Sequence, residues 1–228
     1  MTTLFLLMSA DGKISSGSGD ALDADRDWRR IAGVREGLGQ YYALEQETAP
    51  WSLNTGRVMA KTGVNEREPP PQKLGCSFVI VDSKPHLTRR GVEYLCGWTK
   101  RLLLVTANKS HPAFAVKQDN LQVLYQRSID LETLLETLAQ QGVKELTIQS
   151  GGMMNGAFLR RRLLDRVELV VAPLLVGGAE TPTPIDGPSL TEPEQLAQLG
   201  VLRLVHCTPL KHSYLRLEYE VLPETVLE

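Results

Sequence analysis

The chain has 228 residues, of which 42% are hydrophobic and 23% are charged, and its formal net charge is −2. This composition is typical of a globular protein and excludes an intrinsically disordered chain. No basic stripe dominates, and the longest apolar runs are shorter than a bilayer span, so neither nucleic acid nor a membrane is an expected partner.

The first predicted element is a buried apolar strand, which a loop rich in Gly, Ser and Asp follows. Asp25 or Asp27 is expected to cap the first helix, with Trp28, Ile31 and Val34 on one face. Up to residue 75 the predicted elements are a strand at 4–8, helices at 25–36 and 41–47, a strand at 51–54, a helical turn opening at 55–57 and a surface loop at 65–73.

Beyond residue 75, strands and helices alternate regularly. The predicted elements are a strand at 76–81, a helix at 88–95, strands at 101–106 and 121–125, a helix at 130–141, a strand at 144–149, a helix at 154–164 and a strand at 167–172. Two further strands, at 202–207 and 214–221, have no helix between them. We therefore expect an α/β fold with a mostly parallel central sheet, helices on both faces and an antiparallel C-terminal edge. One domain is expected over residues 1–228.

The three cysteines, Cys76, Cys96 and Cys207, are widely separated and odd in number. This pattern predicts reduced thiols in a cytoplasmic protein rather than a disulfide framework. The histidines and cysteines also lack the spacing of a zinc site, so no metal is expected. No basic region precedes the apolar N-terminal residues, which predicts a strand there rather than a signal peptide.

Gly151 and Gly152 separate the strand predicted at 144–149 from the helix that follows. The first turn of a helix has unpaired backbone N–H groups, and glycine lets a ligand approach that backbone closely. The pattern suits a phosphate or pyrophosphate. A tight turn that needs glycine for steric reasons alone is the alternative. The second glycine pair, Gly177 and Gly178, precedes no helix and predicts a loop.

Residues 150–182, SGGMMNGAFLRRRLLDRVELVVAPLLVGGAETP, resemble the C-terminal reductase half of the bifunctional deaminase/reductases of riboflavin biosynthesis and their stand-alone relatives. Two further motifs, MSADGKI at 8–14 and VIVDS at 79–83, resemble the same family in the same order. NTGRVM at 54–59, which lies between them, resembles a turn of the wider dihydrofolate-reductase-like fold. The resemblance covers most of the chain and implies a dihydrofolate-reductase-like fold. It also implies an NADPH-dependent oxidoreductase that reduces the ribosyl group of a phosphorylated ribosylaminopyrimidine to a ribityl group by hydride transfer.

The resemblance assigns residues to two ligands and assigns no catalytic residue. The residues implied for the cofactor are Thr55, Gly56, Arg57, Ser83, Thr106, Gly151, Gly152, Met153, Met154, Asn155 and Gly156. The residues implied for the substrate are Ser9, Asp11, Lys13 and Gln149. Within the cofactor set, the turn from Gly151 would hold the pyrophosphate, and Ser83 and Thr106 would lie near the adenosine 2′-phosphate.

Gln149 stands where the family usually has glutamate. A carboxylate offers only acceptors, whereas an amide offers one acceptor end and one donor end, so Gln149 suits a different substrate edge. Residues 19–42 also lack the recognisable tryptophan-containing segment of the family. A reductase of this fold with a pterin-like or other small substrate, and a non-catalytic NADPH-binding protein, are therefore the alternatives. A homodimer is expected because the family's members pair through their sheets.

Overall fold

The computed structural model describes residues 1–227. The strands are β1 (Thr2–Ser9), β2 (Trp51–Thr55), β3 (Ser77–Val81), β4 (Leu102–Thr106), β5 (Leu121–Tyr125), β6 (Leu146–Ile148), β7 (Arg166–Ala172), β8 (Leu202–Pro209) and β9 (Leu215–Val221). The α-helices are α1 (Ala24–Asp27), α2 (Arg35–Glu45), α3 (Gly56–Lys61), α4 (Arg89–Trp98), α5 (Leu131–Gln140) and α6 (Gly152–Arg160). Short 3₁₀ helices lie at Trp28–Arg30, Pro112–Ala115, Pro193–Gln198 and Lys211–Ser213.

The chain divides into two compact units. The inserted unit is Ala49–Ser150, and the terminal unit combines Met1–Thr48 with the residues from Gly151 onward. The single domain expected from the sequence stays a prediction. In the part of the chain that the structure describes, no helix combines the length and the apolar character needed to cross a bilayer.

The inserted unit contains five parallel strands in the order β5-β4-β3-β2-β6. Every residue of β3 and β4 is buried, as expected for strands covered on both faces. Phe78, Ile80 and Leu104 pack with Leu95 of α4 in one apolar cluster. Because all five strands run the same way, their carboxyl ends lie at one edge of the unit.

The terminal unit pairs β1 with β7 in parallel, and then β7 with β9 and β9 with β8 in antiparallel fashion. Its core contains Phe5, Trp28 and Tyr214, all fully buried. The Tyr214 hydroxyl donates to the Val34 carbonyl over 2.8 Å. Mostly parallel pairing that ends in antiparallel C-terminal strands confirms the predicted α/β fold class.

The single helix predicted from residue 25 to about residue 36 is wrong. The Asp23 side chain caps α1, rather than Asp25 or Asp27, and α1 ends after one turn. The helical path ends at Ile31, which is extended with φ −98° and ψ 118°, and Gly33 follows with a φ of +85°, a left-handed conformation that suits glycine. Ile31 is consequently 42% exposed rather than buried.

Other helix boundaries also differ from prediction, and α4 ends at Trp98, beyond the predicted end at residue 95. The short helix predicted at 41–47 is the C-terminal half of α2, which begins at Arg35. The helix predicted at 154–164 begins at Gly152 and ends at Arg160. Helix ends depend on capping contacts that periodicity alone does not specify.

Candidate active site

Several predicted cofactor residues lie together at the carboxyl edge of the inserted unit. Thr55 ends β2 and caps α3, where its hydroxyl accepts a hydrogen bond from the Val58 N–H. Ser83 follows β3 after one residue, and Thr106 is the last residue of β4. Arg57 is exposed on α3. This placement agrees with the general location of ligands in parallel sheets, beyond the carboxyl ends of the strands.

A buried carboxylate, Asp82, connects the loops that follow β3 and β4. It accepts hydrogen bonds from the backbone N–H groups of His86 and Leu87, each at 3.0 Å. It also contacts His86 Nδ1 at 2.9 Å and His111 Nε2 at 3.1 Å. The Thr106 hydroxyl donates to the Asp82 carbonyl over 2.8 Å. Asp82 therefore fixes the loops after β3 and β4 relative to each other.

The contacts of Asp82 define its charge and the proton positions around it. Burial alone would raise the Asp82 pKa, but the hydrogen bonds from His111, Leu87 and His86 outweigh burial and lower it. An ionised carboxylate only accepts, so both imidazoles donate to it. His111 Nδ1 accepts from the Ala113 N–H over 3.1 Å, which places the His111 proton on Nε2.

The Asp82 carboxylate also explains Gly56. A Cβ atom at Gly56 would overlap that carboxylate, so only glycine fits at the first position of α3. Thr106 likewise has an internal role, because its buried hydroxyl bonds to Asp82 and accepts from the Asn108 N–H over 3.1 Å. The cofactor contacts expected of Gly56 and Thr106 stay predictions.

We expect Asp82→Asn to lower the free energy of unfolding by about 3 kcal/mol, because an amide nitrogen would face buried N–H donors. Asp119→Asn is the matched control, since Asp119 is an exposed carboxylate of the same unit. Urea unfolding of both variants measures the difference. Equal stability of the two variants would show that the Asp82 contacts contribute no net stability.

Gln149 follows β6, and β2 orients its side chain. Ser52 Oγ donates to Gln149 Oε1 over 2.7 Å and accepts from Asn54 Nδ2 over 3.4 Å. Ser52 and Asn54 are buried. In this arrangement the oxygen end of the Gln149 amide faces β2.

In the terminal unit, the predicted substrate residues Ser9, Asp11 and Lys13 form one turn at the carboxyl end of β1. Ser9 Oγ donates to Asp11 Oδ1 over 2.5 Å and accepts from the Lys13 N–H over 2.8 Å. Gly12 adopts a φ of +73°, which lets the chain reverse at this point. The structure therefore brings these three residues together, as their motif predicts.

Asp11 and Lys13 fasten this turn to the loop that follows β7. The Asp11 carboxylate accepts from the Val176 N–H at 3.1 Å and from the Gly177 N–H at 2.6 Å. The Ser9 hydroxyl, followed by these two N–H groups, lowers the Asp11 pKa to about 2. The three hydrogen bonds that the ionised Asp11 accepts are fully formed at any pH above the range in which an ordinary aspartate titrates. They are lost only as the pH falls through about 2. Lys13 Nζ donates to the Thr181 carbonyl over 3.1 Å.

The glycine turn is found where α6 begins, with Gly151 as its cap residue. Within residues 1–227, the backbone N–H groups of Gly152 and Met153 have no acceptor. Met153 is 66% exposed beside them. The first turn of this nine-residue helix therefore offers unpaired N–H donors, and phosphate binding there stays a prediction.

Gly152 and Gly156 also have a packing role, which differs from the tight turn considered as the alternative in the sequence analysis. Cβ atoms at Gly152 and Gly156 would overlap Asp186, because residues 183–186 lie directly on this face of α6. The Asp186 N–H donates to the Gly152 carbonyl over 2.9 Å. Asn155 Nδ2, which is buried, donates to the Pro184 carbonyl over 2.8 Å. An open cavity of about 510 Å³ adjoins this contact and is lined by Met153, Arg160 and residues between 179 and 189.

Sequence reasoning missed Asp82, His111 and Asp186. Asp82 lies in the VIVDS motif, but the sequence gives no local signal of its burial. Its partner His111 lies 29 positions later, and Asp186 lies 34 positions after Gly152. A buried carboxylate beside an obligatory glycine is visible only after the strands and loops are placed.

The chain matches the family described as RibD C-terminal domain over residues 1–215. It is 26% identical over 208 residues to the 2,5-diamino-6-ribosylamino-4(3H)-pyrimidinone 5′-phosphate reductase of Methanothermobacter thermautotrophicus, covering 86% of this chain and 88% of the relative. It is 26% identical over 212 residues to the riboflavin biosynthesis protein RibD of Actinobacillus pleuropneumoniae, covering 84% of this chain but 50% of that longer protein.

Among solved structures, Acinetobacter baumannii RibD is similar with a TM-score of 0.66 and 17% sequence identity. That similarity covers 97% of this chain and 58% of the RibD chain, and at this identity it shows the fold alone. The expected reductase fold is thereby confirmed. Because the family match extends over residues 1–215, the chain belongs to the RibD C-terminal domain family.

Proposed function

We propose that this chain is an NADPH-dependent reductase that converts the ribosyl group of a ribosylaminopyrimidine 5′-phosphate into a ribityl group by hydride transfer. The observation that carries the proposal is the family match over residues 1–215. A relative named for this reaction, the Methanothermobacter reductase, is covered over 88% of its length. The chain spans about half the length of the RibD relative from Actinobacillus, so the activity of that whole protein is not transferred.

A reductase of this family uses a nicotinamide cofactor, and we propose NADPH. The cofactor supplies the hydride, and the protein binds and orients it. The free N–H groups of Gly152 and Met153 are suited to a pyrophosphate oxygen, because the dipole of α6 favours negative charge there. We also expect NADPH to bind more tightly than NADH, because Arg57, Ser83 and Lys109 offer donors suited to a 2′-phosphate.

On the substrate side, Lys13 is the proposed ligand of the phosphorylated ribose. Its ammonium group keeps two further protons when one is donated to the Thr181 carbonyl. Asp11 already accepts from three donors, so we assign it to positioning the turn rather than to contacting the ribose directly. Gln149 would meet the pyrimidine with an orientation that Ser52 fixes.

Steady-state oxidation of NADPH by the purified protein tests the proposal. We expect oxidation that requires the ribosylaminopyrimidine 5′-phosphate and that is much slower with NADH. NADPH binding without oxidation would favour the non-catalytic alternative. Oxidation with a different pterin-like substrate only would replace the proposed substrate while keeping the enzyme class.

We also propose a cytoplasmic homodimer that forms through the C-terminal strands. Leu169 of β7 lies opposite Leu217 of β9, and Tyr219 of β9 lies opposite Leu204 of β8. Residues that lie directly opposite in a sheet share a face, so these side chains form one apolar surface. Leu204 is 53% exposed, and every residue of β8 is exposed. A second copy would cover this surface.

Leu204→Glu is expected to shift the protein from dimer to monomer, because two charges would be buried in a symmetric interface. Thr208→Glu is the control, since Thr208 lies on the same strand but opposite Arg216 on the other face. Light scattering at micromolar concentration measures both masses. A monomeric wild-type protein would reject the dimer.

A further inference from the structure

The turn of residues 83–86 in the inserted unit is closed on the Asp82 carboxylate. The backbone N–H of His86 and its ring Nδ1 both contact that carboxylate, at 3.0 and 2.9 Å. Asn65 holds the other side of the turn by donating to the His86 carbonyl over 2.9 Å. Both the main chain and the imidazole of His86 are therefore fixed before any ligand binds.

Three donors belong to this turn. They are Ser83 Oγ, Lys84 Nζ and His86 Nε2, and none of them has a protein partner in the part of the chain that is described. Lys84 is exposed, and the His86 side chain is 38% exposed while its Asp82 partner is fully buried. A hydroxyl, an ammonium and an imidazole within four residues make a donor set suited to a phosphate.

The hydrogen bond to Asp82 decides what His86 can offer. Asp82 is ionised and only accepts, so the Nδ1 position of His86 carries a proton. A neutral His86 then has its lone pair on Nε2, where a phosphate oxygen would be repelled. Only the imidazolium form, with a proton on both nitrogens, donates from Nε2 to an anion.

We infer that residues 83–86 bind a phosphomonoester and that His86, held by Asp82, is the specificity-determining residue that donates to it only when protonated. The identity of the ligand rests on the proposed function. Two sources share this chemistry, the 2′-phosphate of the cofactor and the 5′-phosphate of the substrate. The Ser83 assignment favours the cofactor.

Other charges around the turn do not produce the same pH dependence. His111 faces Asp82 from the loop after β4, but both of its nitrogens are occupied, by Asp82 and the Ala113 N–H. His86→Gln leaves Lys84 in the turn, and Arg57 and Lys61 on α3, unchanged, so these charges act alike in both proteins. The second ionisation of a phosphomonoester, near pH ~6, acts equally in wild type and variants.

The test is a titration of wild type and His86→Gln with NADPH and with NADH at about pH 6 and about pH 8, on either side of the histidine range. Relative to His86→Gln, the wild type should bind NADPH about tenfold more tightly at the lower pH, and this advantage should disappear at the higher pH. NADH, which lacks the 2′-phosphate, should show no such advantage. His206→Gln, an exposed histidine on β8, is the control and should keep the wild-type profile.

An identical pH profile for NADPH and for substrate KM in wild type and His86→Gln would overturn the inference. If only the substrate KM loses its pH dependence in His86→Gln, the turn binds the 5′-phosphate of the substrate. The inference then stands, with the substrate in place of the cofactor as the ligand. If neither cofactor binds, the proposed function fails. Titration with inorganic phosphate then decides whether residues 83–86 bind a phosphate group. A shift of the His86 ring resonances, assigned by their loss in His86→Gln, would then support the turn, and unmoved resonances would reject it.

Discussion

Gly152→Asp is expected to weaken NADPH binding at least tenfold and to destabilise the fold at the same time. A carboxylate at the start of α6 repels a pyrophosphate, and a charge-assisted contact is worth about 1.5–3 kcal/mol. The new Cβ would also overlap the Asp186 carboxylate and the Thr183 carbonyl. The packing of residues 183–186 against Gly152 therefore adds a loss of stability to the expected loss of affinity.

Thermal unfolding together with NADPH titration separates these two effects. Gly19→Asp is the matched control, because Gly19 is exposed and has open space where the Cβ would lie. We expect the control to retain both stability and affinity. A folded Gly152→Asp protein with wild-type NADPH affinity would remove the start of α6 from the cofactor site.

Lys13→Ala is expected to lower kcat/KM by about ten- to hundredfold while NADPH affinity changes little. The ammonium group would lose its contact with a substrate oxygen, and the cofactor would keep its own contacts at α6. The variant also loses the bond to the Thr181 carbonyl, but the backbone bond from Ile14 to Pro182 still joins the same two segments.

Lys13→Arg and Lys13→Met help to interpret that result. Arg retains the charge and Met retains most of the length, so partial recovery only with Arg would assign the effect to charge. Lys61→Ala is the control for loss of a lysine elsewhere, on α3. A collapse of NADPH affinity with an unchanged substrate KM would move Lys13 to the cofactor, and unchanged values of both would make it a surface lysine.

Most strands were predictable because they are short apolar runs or, as in β9, alternate apolar with polar residues. β5 agrees with prediction at both ends, and most of the others agree within one or two residues. The break between α1 and α2 was not predictable, since the apolar spacing continues through Trp28 and Val34. The extended conformation of Ile31, the left-handed conformation of Gly33 and the cap at Asp23 decide the outcome locally.

The placement of site residues was predictable only where they lie close together in one short sequence motif. The turn from Ser9 to Lys13 folds as one hydrogen-bonded piece, so its residues necessarily lie together. By contrast, the role of Asp82 depends on His111, which is distant in sequence and becomes a neighbour only when β3 and β4 pair. Gly56 and Gly152 show the same limit of prediction. The sequence cannot distinguish a glycine that lets a ligand approach from one that leaves room for a neighbouring carboxylate, here Asp82 or Asp186.

The most direct test of the central claim is the fate of the hydride. The purified protein would be incubated with the ribosylaminopyrimidine 5′-phosphate and NADPH that carries deuterium at the transferred position of the nicotinamide, and the product would be analysed by mass spectrometry and NMR. We expect a ribityl product with one deuterium at C1 for each NADPH oxidised. A protein that binds NADPH but yields no deuterated ribityl product, with the cofactor unoxidised, would contradict it.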